Sequence, residues 1–249
     1  MRRKIIALAA ALALLFFSVY SLPFLYDRIH TYTISIKPGS VIVVVSDLHI
    51  ENNPRNLSAI GALVKSTNAS LLVINGDLFD DQYGRALDLH LLADAFKRMN
   101  LSTAQHVQVI YVLALYSHDP FIDSPTATLN ASSFQVLVVK GALLLEAPSE
   151  RMIVLHGDYA IRFGFIAGVL DMASHGLALG RMARMVLHVE PDCWVAVGHS
   201  HIPGISYEDR VANTGTWLNR FIDSSDTALV VKVDEKGKMH LKLVSVKEA

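Results

Sequence analysis

Asp47 and His49 stand two residues apart at the end of a β-branched run, Val41-Ile42-Val43-Val44-Val45, and they open a series. Asp77 and Asp80 follow the apolar stretch Leu71–Asn75. Ser117, His118 and Asp119 follow residues 107–115, His156 and Asp158 follow Arg151–Leu155, and His199 and His201 follow residues 194–197. Carboxylates and imidazoles with no thiolate among them suit a hard-to-borderline divalent cation. A single Asp-x-His pair reads equally well as a polar strand end entering a loop. Five such clusters, each behind an apolar run, are a stronger signal.

The runs must be the elements that position these groups. Short, continuous β-branched stretches read as strands buried on both faces, and open α/β sheets bind their ligands at the carboxyl ends of such strands. Side chains alternate along a strand, so Asp47 and His49 are expected to point the same way. Between the strands, apolar spacing predicts helices over 55–66 and 85–99 and a helical, unusually apolar stretch over 159–188. Residues 31–36 alternate and precede Lys37-Pro38-Gly39-Ser40, which predicts an opening β-hairpin with 41–45. Phe134–Glu146 reads as two short strands about Lys140-Gly141, and 228–233 with 239–246 as a closing hairpin. The expected class is α/β, in one domain over 31–249 with 159–188 as an apolar helical insertion.

The chain of 249 residues is 52% hydrophobic, with 22 basic and 23 acidic residues, so a broad basic field for duplex nucleic acid is not indicated. Cys193 is the single cysteine, which excludes an intramolecular disulfide and a cysteine-based zinc site. His90, His106, His175, His188 and His240 lie outside the clusters and read as surface or structural histidines. Asp158 reads as a cap of the following helix, Asp119 as shaping the turn before Pro120, and Asn213 and Trp217 as core or turn residues.

Arg2, Arg3 and Lys4 precede an uncharged stretch over 5–22. At ~1.5 Å per residue this is roughly 27 Å of helix, near the ~30 Å of a bilayer core. A cleaved signal peptide and a retained anchor are the competing readings. Val19-x-Ser21 is only a passable cleavage site, which favours an anchor within 1–26. The basic residues would then keep the N-terminus cytoplasmic, giving a single-pass membrane protein with its domain outside the cytoplasm. Asn-x-Ser triplets at Asn56, Asn68, Asn100 and Asn130 agree with export.

In their order, the clusters resemble the calcineurin-like metallophosphoesterase superfamily. That family's pattern is Asp-x-His, Gly-Asp-x-x-Asp, Gly-Asn-His-Asp/Glu, a lone His, then Gly-His-x-His. The resemblance spans roughly residues 41–217. It implies two packed mixed β-sheets flanked by helices and two divalent metal ions, manganese first, with iron, zinc or magnesium as alternatives. It further implies that Asp47, His49 and His201 hold one ion, that His156 and His199 hold the other, and that Asp77 bridges them. His118 would be the catalytic non-ligand histidine, oriented by Asp80. The implied reaction is hydrolysis of a phosphate ester or diphosphate by a metal-activated hydroxide.

The chain departs from the pattern at Tyr116-Ser117, where the family has Gly-Asn. Ser117 would either ligate the second metal in place of the asparagine amide or leave that place to a water. Tyr116 puts the loop backbone in question, because a non-glycine residue resists positive φ. The His-Gly-Asp and Gly-His-Ser-His-Ile-Pro segments are similar to the UDP-2,3-diacylglucosamine pyrophosphatase branch, which has Arg at the place of His118. The 159–188 stretch reads as a cover on the sheet or as a hydrophobic lid beside the metals. A phosphorylated small molecule and a lipid-linked phosphate are therefore both open as substrates. The alternative is a membrane-anchored, non-catalytic binding or scaffold protein on the same fold.

Overall fold

β-branched and leucine-rich runs form most of the strands of the computed structural model, which describes residues 15–53, 57–104, 106–131, 134–218 and 225–246. The strands are β1 (His30–Ser35), β2 (Val41–Val45), β3 (Leu71–Asn75), β4 (Gln108–Leu113), β5 (Thr126–Ala131) and β6 (Phe134–Glu146). They continue as β7 (Arg151–Leu155), β8 (Cys193–Val197), β9 (Gly204–Ser206), β10 (Val211–Asn213), β11 (Thr227–Val233) and β12 (Met239–Ser245). The helices are α1 (Ser58–Ser66), α2 (Leu89–Arg98), α3 (Gly164–Ser174) and α4 (Ala178–Val186).

The strands run in the order β12-β11-β2-β3-β4-β6-β7-β8-β10-β9, with β1 and β5 both paired to β6. β2, β3, β4 and the first half of β6 are mutually parallel, and β7, β8 and β10 form a second parallel set. Alternation along each strand shows how the two halves stack. Ile42 and Val44 of β2 join Met152, Val154, Trp194 and Ala196 of β7 and β8 in one buried cluster. Val43 and Val45 turn the other way, toward Ile60, Val64, Leu92 and Phe96 of α1 and α2. Ile153, Val195 and Val197 face Ala167, Leu179 and Ala183 of α3 and α4. The result is two mixed sheets face to face, each covered outside by a pair of helices.

The N-terminal elements differ from expectation. β1 is not a hairpin partner of β2. It pairs parallel to the second half of β6, from His30 beside Gly141 to Ser35 beside Glu146. β6 is one strand of 13 residues rather than two. Its first half pairs β4 and β5, and its second half pairs β1 and β7. Gly141 sits at the change of partners with φ 129°, where a Cβ would lie 2.3 Å from the His30 carbonyl oxygen. The glycine marks a crossing of two backbones, not a strand break.

The helical stretch over 159–188 consists of two helices. A 3-10 turn, Gly157–Tyr159, precedes α3, and His175 and Gly176 take left-handed conformations that end α3 before α4 begins. At the N-terminus, residues 15–20 are helical and a short 3-10 turn follows at Pro23–Leu25. Phe17 stacks on Phe163 with ring centroids 5.4 Å apart, and Ser21 and Pro23 are buried. Among the described residues no helix is long and apolar enough to cross a membrane. Residues 1–14 of the expected anchor lie outside the described residues.

Candidate metal centre

Each apolar run breaks off at the same edge of the molecule, and the five clusters meet there. Asp47, His49 and His201 bring one ligand atom each to within 4.8 Å of one another, and so do Asp77, His156 and His199. A third trio, His49, Asp77 and His118, overlaps both. The expected alternation of Asp47 and His49 is not how they come together. Both lie beyond the end of β2 in left-handed conformations, φ 54° and 46°, as do Asp77 (47°), His199 (76°) and His201 (66°). Aspartate and histidine tolerate that region better than most residues, yet it costs each roughly 1–2 kcal/mol. Such positions persist only where surrounding bonds dictate them.

Several hydrogen bonds fix these positions. Asp47 Oδ2 accepts from the backbone amide of His199 at 3.0 Å, tying the β2 loop to the β8 loop. His156 Nδ1 donates to the Asn75 carbonyl at 3.0 Å, while Asn75 Nδ2 donates to the Leu155 carbonyl at 3.0 Å. These two bonds stitch β3 of one sheet to β7 of the other. Asp119 does more than shape a turn, since it accepts from the backbone amides of Asp77 (2.9 Å), Leu78 (3.0 Å) and Ala114 (2.9 Å). Asp158 likewise holds the neighbouring loop, accepting from the Tyr116 amide at 2.6 Å. Tyr116 is not among the residues at positive φ, so the change from glycine costs the loop nothing in backbone conformation.

Asp80 differs from its expected role. Its carboxylate meets His49 Nδ1 at 3.1 Å and accepts from the Asn52 amide at 3.0 Å. His118 is held by the same residue's backbone carbonyl, at Nδ1. Ser117 Oγ donates to Asp77 Oδ1 at 2.6 Å and so points at the central carboxylate. Asp77 Oδ2 lies 3.3 Å from His156 Nε2 and 3.9 Å from His49 Nε2, and Asp47 Oδ1 lies 3.3 Å from His201 Nε2.

The cluster's protonation follows from its burial and its charges. Burial disfavours the ionised form of Asp77, but His156 and His49 outweigh it and hold its carboxyl well below the usual range. Asp47 is likewise lowered, burial being overcome by His201. His199 is pushed down to about 3 by burial and by His156 beside it, so it is neutral. Burial and the neighbouring Asp77 raise Asp119 to about 7, and burial raises Asp158 to about 6. His156 is raised, because Asp77 and Asp158 outweigh its burial. A field that draws a proton onto a buried imidazole is one that also draws a cation.

Three buried nitrogens, Nε2 of His49, His156 and His199, make no well-aligned hydrogen bond, that of His156 lying 3.3 Å from Asp77 Oδ2. Leaving a buried polar group unsatisfied costs about 1–3 kcal/mol. The carbonyl of Asn75 can only accept, so the proton of neutral His156 sits on Nδ1 and the lone pair on Nε2 faces the cluster. The residues present thus fit a divalent cation.

Some supporting residues carried no motif. Asp171, buried in α3, accepts from Ser200 Oγ (2.5 Å), Asn213 Nδ2 (2.9 Å) and the Leu179 amide (2.9 Å), fixing the loop between His199 and His201. Glu51 accepts the Asp80 amide at 2.7 Å. A lone acid within the apolar sequence of α3 was the available signal for Asp171.

Above the cluster opens a cleft of about 710 Å³. His49, Asp77, Ser117, His118 and His201 line its floor. Arg162, Phe163, Phe165, Val169 and Met172 line one wall. Arg162 lies 4.1 Å over the Tyr20 ring and 5.5 Å from the Tyr116 ring centre.

No protein-family model and no curated protein matches the chain. Among solved structures it is similar to Yfce, a phosphoesterase from E. coli, at 16% identity over 83% of this chain and 99% of that one, with a TM-score of 0.41. It is similar to Vps29 of Chaetomium thermophilum at 14% identity over 82% and 97%, with a TM-score of 0.41. It is also similar to GAP50, the anchor in the inner membrane complex of Plasmodium, at 13% identity over 84% and 85%, with a TM-score of 0.47. None of these likenesses bears on activity. The five clusters that resemble the calcineurin-like metallophosphoesterase pattern, with Tyr116-Ser117 in place of its Gly-Asn, are brought together by the fold at a single edge.

Proposed function

We propose that this edge is a dinuclear metal centre and that the protein hydrolyses phosphoesters. The observation that carries the reading is the convergence of three buried imidazole nitrogens, none in a well-aligned hydrogen bond, on a carboxylate, Asp77, that faces both trios. Asp47, His49 and His201 would hold one ion, His156 and His199 the other, and Asp77 both, with manganese the first choice. When bound, such a pair polarises phosphoryl oxygens and makes water a nucleophile at neutral pH. Asp80 keeps His49 in the ligating tautomer, and Asn75 does so for His156. His118, its Nδ1 held by the Asp80 carbonyl, has Nε2 left to give a proton to the leaving oxygen. The apolar wall beside this floor favours a lipid-linked phosphate as substrate.

The test uses the full chain in detergent, because Phe17 and Tyr20 pack against the cleft wall at Phe163 and Arg162. Two ions per chain and manganese-dependent turnover of p-nitrophenyl phosphate are expected. Fewer than two ions and no turnover of any phosphoester would instead favour a binding or scaffold protein without a working second site.

Ser117 offers a finer measurement. As a donor to Asp77 it supports the central carboxylate, and loss of such support changes metal affinity about 10–100-fold. Ser117→Ala should weaken the second metal within that range. Ser117→Asn should tighten it, its amide oxygen replacing a hydroxyl that is spent on Asp77. Unchanged titrations for both would mean that residue 117 plays no part at the ions.

For the compartment, the basic N-terminus and the uncharged stretch after it support an anchored domain outside the cytoplasm. Protease added to intact cells or spheroplasts should then remove the domain. Digestion only after permeabilisation would place it inside.

A further inference from the structure

Phe165, Val169 and Met172 lie four and three residues apart on α3 and so form one stripe. They are 84%, 52% and 61% exposed, while the buried residues of the same helix are Ala167, Gly168 and Asp171. α3 therefore presents most of its large apolar side chains, Ile166 excepted, to the outside and its small ones to the sheet, the reverse of a helix on a soluble surface. Next to it, the segment 15–20 does the same. Leu15 and Phe16 are 61% and 72% exposed, and its inward contact is Phe17 on Phe163, the residue that caps α3. Soluble monomers seldom leave so many large apolar side chains together in water.

We infer that this rim docks on a phospholipid bilayer, so that the cleft opens at the lipid–water boundary rather than into bulk water. Three observations favour a bilayer over a second copy of the chain. Residues 5–14, which lead directly into the exposed segment, carry no charge, so the chain arrives at this face from sequence that itself partitions into hydrocarbon. The composition changes along the cleft, from carboxylates and imidazoles at the floor to aliphatic and phenyl groups at the rim. At the change sit Tyr20, Tyr116 and Arg162, amphipathic side chains suited to the headgroup level. Arg162 has no carboxylate partner among the described residues; it lies over the Tyr20 ring beside Tyr26, placed to meet a lipid phosphate. Burying each rim side chain in acyl chains is worth on the order of 1–2 kcal/mol, a partial share of the value for full burial.

The test needs neither metal nor turnover, so it stands or falls apart from the catalytic reading. Cys193, the native cysteine, is buried, so single labelling sites can be introduced by Phe165→Cys, Met172→Cys and Lys236→Cys. Phe165 and Met172 are largely exposed, so their replacement leaves the fold intact. Lys236 serves as the control, in the turn that packs beside Gly39 at the opposite, amino end of β2. The full chain, carrying an environment-sensitive fluorophore, is reconstituted in phosphatidylcholine–phosphatidylglycerol vesicles with and without brominated acyl chains. Emission from positions 165 and 172 should be quenched severalfold by the bromines, with position 236 unaffected. Equal, weak quenching at all three sites would overturn the inference. So would quenching that follows protein density instead of bromine, which would assign the rim to a second copy.

Discussion

Asp77→Asn should abolish turnover and pairing of the metals together. The side chain keeps its shape and can keep its contact with Ser117, but it loses the charge that faces both trios. Electrostatic stabilisation at such a centre is worth several kcal/mol, and each ~1.4 kcal/mol is a factor of ten. A loss of about 10³-fold or more in kcat/KM is therefore expected. Metal analysis should fall from two ions to one or none, while circular dichroism and the thermal transition of the metal-free protein stay near wild type. Normal turnover with two ions retained would falsify the bridging role of Asp77.

The second large effect belongs to a residue with no functional group. Gly76 holds φ 74° between β3 and Asp77, and a Cβ there would lie 2.3 Å from two ring atoms of His156. That ring cannot swing aside without giving up its bond to the Asn75 carbonyl. Gly76→Ala thus combines a left-handed alanine, ~1–2 kcal/mol, with overpacking of ~1–3 kcal/mol. Chemical denaturation should show a loss of about 2–5 kcal/mol, and the surviving folded protein should bind the second metal poorly because His156 is displaced. A variant with wild-type stability and metal affinity would mean that the β3–β7 junction is looser than its hydrogen bonds imply.

Much of this site was legible because its chemistry is local. A β-branched run and the polar residues behind it are adjacent in sequence, so the five strand ends and their ligand types could be read directly. What could not be read depended on partners far along the chain. Lys37-Pro38-Gly39 is a turn signal, but nothing near it says that β1 will pair with β6, more than a hundred residues later. Gly141 looked like a breaker because its need for an unusual φ comes from the His30 carbonyl, which only the fold brings close. Asp80 follows the family spacing, yet its carboxylate turned to His49 and left His118 to the backbone. Asp171 and Asn213 fix the His199–His201 loop through one shared network, although no spacing between them in sequence announces it.

The crossing of β6 also governs how the molecule comes apart. β6 bonds to β4 and β5 in one layer and to β1 and β7 in the other, so neither layer can melt while its neighbour keeps that strand. Opening β6 removes pairings from both layers at once. The most protected amides of β3 and of β8 should therefore exchange with solvent at the same free energy, as parts of a single cooperative unit. Folding is bound by the same condition. The layer of β7 and β8 is not complete until the parallel pairing of His30–Ser35 with the far half of β6 has closed a loop of some hundred residues, a slow class of contact to form.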